Sequence, residues 1–289
     1  MRILILGGDG MLGHQLLSSW NSRHEVRVTL RQALDDYSQY GLYDSQNSYY
    51  GVDVQYFEQV ERVVDDFKPE AVVNAVGIVK QRVESHDYIQ SLEVNSLLPH
   101  KLSVLCGEVG ARLVHMSTDC VFSGDSGMYT EKETPDAADL YGRSKLLGEV
   151  SESHAVTLRT SIIGLELSRK KSLVEWFLQQ CGTVRGFEKV IYSGFTTVEM
   201  ARIIEFILTQ QKELSGVWHV ASRPVNKYDL LSSLVQRLPE FDIKIIPDDS
   251  FVCDRSLDGS KFGEVTGYQA PSWDKMLNEL AQQVQERTQ

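Results

Sequence analysis

The sequence predicts an α/β fold: a doubly wound parallel sheet with helices on both faces and a smaller C-terminal portion. Three observations predict it. Arg2–Leu6 (RILIL) is a short apolar run ending in Gly7-Gly8-Asp9-Gly10, the pattern of a buried strand entering a tight turn. Residues 11–22 follow with Leu12, Leu16, Leu17 and Trp20 on one helical face. Residues 25–30 read as a second strand, and strand, helix and strand in so short a span form a βαβ unit, which requires parallel pairing.

The alternation continues. Residues 31–52 are polar and crowded with Tyr37, Tyr40, Tyr43, Tyr49 and Tyr50 at no clear period, which reads as irregular surface structure available to a cofactor or subunit contact. Residues 54–67 form a helix that Pro69 stops. Ala71–Asn74 is the next strand, 88–107 a long helix with Pro99 as a kink or break, and Arg112–Met116 a further strand. Residues 141–152 read as helix and Ala155–Arg159 as strand. Beyond Thr160 the pattern weakens: helices at 172–181, Thr197–Gln210 and 227–237, strands at 216–221 and 243–246, and a final helix from Trp273. With no internal repeat and no clean linker, residues 1–160 are expected to form one domain, with 190–221 returning to it. Residues 161–289 are expected to form mainly a second portion that shares a cleft with the first.

Composition narrows the function. A chain of 289 residues, 42% hydrophobic and 24% charged, buries a large core without disulfides or metal and is neither disordered nor low in complexity. Cys106, Cys120, Cys181 and Cys253 are scattered, without CxxC pairs, so neither metal ligation nor a disulfide framework is expected. A net charge of −11 is a poor match for nucleic acid, although it leaves room for one small phosphorylated ligand in a local pocket. The N-terminal apolar run is too short for a signal peptide, and no window approaches the roughly 18 apolar residues of a membrane span. No membrane association is expected, and the expected location is the cytoplasm.

Gly7, Gly10 and Gly13 give G-x-x-G-x-x-G directly between a strand and a helix. Glycines there let the main chain approach a pyrophosphate, and the helix that follows aims its N-terminal N–H groups at the charge. A dinucleotide-binding, Rossmann-type turn is the reading, with a ligand-free tight turn as the alternative. The second strand ends Val28-Thr29-Leu30-Arg31, with no carboxylate to hold an adenosine ribose. Arg31 points instead to a 2′-phosphate and hence NADP(H), the alternative being an exposed arginine that caps a strand.

A second constellation carries chemistry. The strand 112–116 ends in Ser117-Thr118-Asp119-Cys120, and Tyr141 and Lys145 stand four apart, on one helical face. A nearby ammonium lowers a phenol's pKa, so the pair can exchange a proton with a substrate oxygen near neutral pH. Thr118, at the C-terminal end of a strand, can donate a hydrogen bond to the same oxygen. The alternative for Tyr141 and Lys145 is a solvated helix face. His115 reads as a buried strand histidine, and Trp176, Trp218 and Trp273 as core or cleft wall. Asp35-Asp36 and Asp248-Asp249 read as solvated loop charges; nothing beside them completes a cation site.

Taken in order, GxxGxxG, Asn74-Ala75-Val76-Gly77, Asn95, Ser117-Thr118-Asp119 and Tyr141xxxLys145 resemble an extended short-chain dehydrogenase/reductase. STDCVFSGDSGMYTEKETPDAADLYGRSKLLGE and LRTSIIG at 158–164 are similar to its dTDP-4-dehydrorhamnose reductase branch, which reduces nucleotide-bound 4-keto-6-deoxy sugars. The likeness spans nearly the whole chain and is most specific up to about residue 165. It implies hydride delivery from NADPH to the sugar C4, Tyr141 as proton donor, Lys145 depressing its pKa and binding the nicotinamide ribose, Thr118 polarising the ketone, and Asn95 in a supporting part. The implied cofactor positions are Gly7, Gly10, Met11, Leu12, Gly13, Arg31, Asp53, Val54, Ala75, Val76, Gly77, Asn95, Tyr141 and Lys145.

Related 4,6-dehydratases carry Thr-Asp-Glu where this chain has Cys120, and 4-epimerases carry small residues after the Ser/Thr position; both are disfavoured. A non-catalytic NADP-binding regulatory subunit is also known in this branch. The branch's tryptophan after Thr-Ser is replaced by Ile162, and Gly77-Ile78-Val79-Lys80-Gln81 resembles reductases of UDP-linked 2-acetamido-2,6-dideoxy-4-keto sugars. That substrate is favoured over dTDP-4-dehydrorhamnose. Lys80, Arg82, Thr118, Asp119 and Arg255 are the candidate substrate residues, Arg255 because a guanidinium fork suits a diphosphate. A UDP- or dTDP-linked sugar is the expected partner, and a homodimer is open.

Overall fold

The computed structural model describes residues 1–79 and 87–288. The chain divides into two compact units: Met1–Ser117, Asp139–Leu158 and Ala201–Val217 form the first, and Thr118–Ala138, Arg159–Met200 and Trp218–Gln289 the second. Thr118–Ala138 groups with the later chain, and Ala201–Val217, within the stretch 190–221, groups with the first unit.

The first unit is built in chain order from β1 (Arg2–Leu6), α1 (Met11–Trp20), β2 (Glu25–Thr29), β3 (Ser48–Tyr49), α2 (Phe57–Phe67) and β4 (Ala71–Asn74). Next come α3 (Tyr88–Ser91), a π-helical segment Leu92–Leu97, α4 (Leu98–Val109), β5 (Arg112–Met116), α5 (Leu140–Leu147) and β6 (Ala155–Arg159). In the second unit β7 (Ile162–Ile163), α6 (Leu173–Leu178), β8 (Gly182–Phe187), β9 (Val190–Tyr192) and β10 (Phe195–Thr196) lead into α7 (Thr197–Gln210), which carries the chain back to the first unit. After β11 (Gly216–His219) the second unit resumes with β12 (Val225–Asn226), α8 (Lys227–Val235), β13 (Ile243–Asp248), β14 (Cys253–Asp254), α9 (Ser260–Thr266) and α10 (Trp273–Thr288).

The main sheet has seven strands in the order β11-β6-β5-β4-β1-β2-β3. β1 pairs in parallel with both β2 and β4, and β4–β5, β5–β6 and β2–β3 are parallel too. This is the predicted doubly wound sheet, with its switch point between β1 and β4. The reason is local patterning. Residues 3–6 of β1 and all of β4 are buried, as strands covered on both faces must be. α1 buries Leu12, Leu16, Leu17 and Trp20, each worth about 1.5–3 kcal/mol of transfer free energy. α2 buries Val60, Val63, Val64 and Phe67, and stops at Lys68 in a left-handed conformation before Pro69. In the second unit a separate core gathers Val174, Phe177, Leu230, Leu234, Leu277 and Leu280 against the parallel pair β8–β13.

Four sequence expectations need correcting. Residues 31–52 are not wholly irregular: Leu34–Tyr40 is a 3-10 helix, and β3 adds an edge strand too short to show alternation. The helix expected over 88–107 changes to a π-helical segment at Leu92–Leu97, upstream of Pro99; Pro99 lies in the first turn of α4, directly behind that segment, and the chain stays helical through it. The helix expected over 141–152 ends at Leu147 and is capped by Gly148, where a Cβ would stand 1.9 Å from the Asn95 carbonyl oxygen. Of the two readings given to Trp176, core or cleft wall, the core one does not hold, since the side chain is 41% exposed.

Candidate active site

The glycine turn sits at the switch point. Gly7 has φ +83°, a left-handed conformation that side chains disfavour, and a Cβ there would meet Val76 at 3.0 Å, so the ends of β1 and β4 are neighbours. A Cβ on Gly13 would lie 2.0 Å from the Gly7 carbonyl oxygen; only glycine lets α1 approach the strand this closely. The Gly7 N–H donates to Thr29 Oγ1 (3.1 Å) and the Gly8 N–H to the Thr29 carbonyl (2.9 Å). α1 starts behind Gly10 with no side-chain cap and no acidic residue in its first turn, which leaves its leading N–H groups for an anion. These features fit the pyrophosphate of a dinucleotide. Two tyrosines brace the turn: Tyr43 Oη donates to the Gly8 carbonyl (2.8 Å) and Tyr37 Oη to the Asp9 carboxylate (3.3 Å). Burial, followed by the Asp9 charge, raises the Tyr43 pKa, so this phenol stays a donor. Sequence reading noted these tyrosines without finding their role, because their targets lie 28 and 35 positions away.

Asn95 and α5 form the chemical side of the same unit. Asn95, in the π-helical segment, accepts from the Ile78 N–H (2.9 Å) and donates to the Ile78 carbonyl (3.0 Å) and to Ser144 Oγ (3.1 Å). It therefore ties the chain after β4 to α5, with Gly77 close beside it. Asp139 caps α5 by accepting from the Gly142 N–H (2.8 Å). One turn into the helix stand Tyr141, half-buried, and Lys145, buried, whose Nζ donates to the Met116 carbonyl at the end of β5. Burial pushes the Lys145 pKa down to about 8, and the Glu149 carboxylate opposes that shift. His115 is buried beside them. Its Nδ1 faces Asn74 Nδ2 (3.1 Å), and burial holds its pKa well below the usual range, so the ring is neutral, as a strand histidine should be.

Thr118, Asp119 and Arg255 come together in the second unit. Thr118 Oγ1 accepts from the Cys120 N–H (3.1 Å) and donates to Asp119 Oδ1 (3.1 Å), so its hydrogen is directed at Asp119. Burial raises the Asp119 pKa, against the hydrogen bonds of Cys120 and Thr118 and the charge of Arg255. Arg255 Nε donates to the Phe122 carbonyl (2.9 Å), and Nη1 lies 3.9 Å from Cys120 Sγ. Burial, then the Asp119 charge, pushes the Cys120 thiol up to about 12, so it stays protonated at neutral pH and does not replace a glutamate base.

Other candidates take simpler positions. Arg31 is exposed just beyond β2, with no hydrogen bond or ion pair to any described residue. Asp53 accepts from the Gln55 N–H (3.1 Å), and Val54 packs against the core of the first unit. Lys80 and Arg82 lie outside the described residues. Among the described residues no group of three or more His, Cys, Asp or Glu could hold a metal ion, and no helix is long and apolar enough to cross a membrane.

Residues 1–286 match the family described as RmlD substrate binding domain. The chain belongs to this family. Within it, the chain falls in the dTDP-4-dehydrorhamnose reductase-like branch of the extended short-chain dehydrogenases/reductases. It is 27% identical over 238 residues to a dTDP-4-dehydrorhamnose reductase from Burkholderia thailandensis, covering 77% of this chain and 73% of that one. It is also 27% identical over 199 residues to methionine adenosyltransferase 2 subunit beta of Bos taurus, covering 67% of this chain and 54% of the relative; the match spans about half that relative's length. Two solved structures share the fold. The dTDP-4-dehydrorhamnose reductase of Bacillus anthracis in complex with NADP has a TM-score of 0.78 at 20% identity, covering 98% of this chain and 99% of that one. The Bordetella bronchiseptica enzyme WbmG in complex with NAD and UDP has a TM-score of 0.79 at 19% identity, covering 99% and 96%.

Proposed function

We propose that the protein is an NADPH-dependent reductase of the C4 ketone of a nucleotide-linked 4-keto-6-deoxy sugar. The observation that carries this reading is Lys145: a buried ammonium, its pKa pushed down to about 8, one helical turn from Tyr141 and fixed to the end of β5 beside the switch point. A reduced nicotinamide bound along the glycine turn supplies the hydride. Tyr141 Oη gives its proton to the ketone oxygen as the C4–H bond forms, and the Lys145 ammonium depresses the pKa of that phenol and would bond the nicotinamide ribose. Thr118 polarises the same oxygen once its hydrogen leaves Asp119. Arg255 holds the diphosphate. Arg31, exposed where an acid would select NAD, favours the 2′-phosphate of NADP. Gly77-Ile78-Val79 and Ile162 favour a UDP-linked 2-acetamido sugar over the dTDP-linked one.

A second reading, a non-catalytic NADP-binding subunit, is favoured by the likeness to methionine adenosyltransferase 2 subunit beta. One assay separates the two: NADPH and NADH oxidation with a panel of UDP- and dTDP-4-keto-6-deoxy sugars, followed by NMR of the product. Turnover with a UDP-linked 2-acetamido sugar and preference for NADPH is the expected result. NADPH binding without turnover of any sugar would favour the subunit reading, and equal use of NADH would remove Arg31 from its role.

A further inference from the structure

The back of the Tyr141–Lys145 pair is built as carefully as its front. Glu149 stands four residues beyond Lys145, just past the end of α5 at Leu147 and its cap Gly148. Its Oε1 accepts from the hydroxyl of Ser117 at 2.7 Å. Ser117 is buried, and its N–H donates to the Leu158 carbonyl of β6 (2.8 Å), so the hydroxyl is presented from a fixed strand end. It directly follows Met116, whose carbonyl receives the Lys145 ammonium. Adjacent residues at the end of β5 therefore hold the cation of α5 and the anion of the chain that leaves it.

We propose that Glu149 is a positioning residue for the proton-donating pair: anchored by the Ser117 hydroxyl, its carboxylate keeps Lys145 an ammonium and fixes α5 against the end of β5. This rests on the reductase reading, since it gives Glu149 its purpose. Elsewhere around Lys145 there is little else to carry the charge. Tyr141 lies on its own helix. From β5 comes His115, which is neutral, and from α4 His100, whose Nε2 is engaged with the Leu147 carbonyl (2.8 Å). From the π-helical segment comes Asn95, an uncharged amide whose Nδ2 is taken up by Ile78 and Ser144. A buried ammonium whose main polar partner is one carbonyl loses its proton readily unless a negative charge stands near. Glu149 is half-buried, so it supplies that charge without being fully desolvated itself.

The test follows the Lys145 ammonium directly. In protein labelled with carbon-13 at lysine Cε, with the Lys145 signal assigned from Lys145→Arg, the titration midpoint is read by NMR in wild type, Glu149→Gln and Glu149→Asp. Glu149→Gln keeps an oxygen for Ser117 and removes only the charge. It is expected to move the midpoint to lower pH by half a unit or more, and the alkaline limb of kcat should move with it. The rate lost near pH 8 should return on acidification, which a merely structural defect would not allow. Glu149→Asp keeps the charge at a greater distance and should fall between the two; it carries the test alone if the glutamine variant does not fold. An unchanged Lys145 midpoint in either folded variant overturns the proposal. The midpoint needs no substrate, so a shifted midpoint in a protein that reduces no sugar would sink the reductase reading and leave the charge coupling standing.

Discussion

The two units solve their folding problem in different ways. In the first, strands of four or five residues, the two-residue edge strand β3 apart, alternate with helices whose apolar faces repeat at helical spacing, and almost every side chain of β1, β4 and β6 is buried. In the second, β7, β10, β12 and β14 have two residues each and β9 has three. They form small sheets that join distant segments, such as β14 in parallel with β9 and β12 antiparallel to it. The first unit holds the glycine turn and Tyr141 with Lys145, the pair proposed above to donate the proton. The second holds Thr118, Asp119 and Arg255, on loops that can vary without disturbing the central sheet. The contrast teaches that the glycine turn and the Tyr141–Lys145 spacing sit on the locally encoded half, while the proposed substrate residues sit on the half assembled from non-local contacts.

Three substitutions probe that division. The largest effect is expected from Tyr141→Phe in the first unit. It should lower kcat by about 100-fold or more, since a positioned acid is lost, while NADPH affinity measured by fluorescence titration stays unchanged. Near-normal turnover would break the assignment of chemistry to α5. Arg255→Ala in the second unit should weaken nucleotide-sugar binding about tenfold, in line with the loss of charge-assisted hydrogen bonds, and leave NADPH affinity intact. Calorimetry with UDP and with NADPH distinguishes the two, and equal losses for both ligands would show that the units do not divide the labour. The smallest effect belongs to Trp176→Ala. With the indole 41% exposed, unfolding stability should change by no more than about 0.5 kcal/mol in a denaturant melt. A loss of 2 kcal/mol or more would mean that this side chain is covered in solution.

Much of the first unit was legible because its signals are short-range. The strand–turn–helix of residues 2–20, the bounds of β4, β5 and β6, and the helical pairing of Tyr141 with Lys145 all follow from spacing within a dozen residues. The π-helical segment was not legible: nothing in LEVNSL distinguishes it from ordinary helix, and its reason is the set of bonds Asn95 makes to Ile78 and Ser144. Ser117 and Glu149 were passed over for a similar cause. They lie 32 positions apart, and a serine and a glutamate carry no message until the fold brings the strand end to the chain just past α5. The core alternative for Trp176 does not hold because the size of a side chain says what burial would gain, not whether a neighbour exists to provide it.

By itself the sequence determined the parallel sheet, the glycine turn at its switch point, and a phenol and an ammonium one helical turn apart. Periodicity and the steric demands of glycine act over a few residues and survive reading in one dimension. Tertiary structure alone decided how the charges are held: which carbonyl receives Lys145, where the hydrogen of Thr118 points, and that Cys120 is kept as a neutral thiol. Burial and the partners brought in from distant segments set the energy of a charge, and neither exists until the chain has folded.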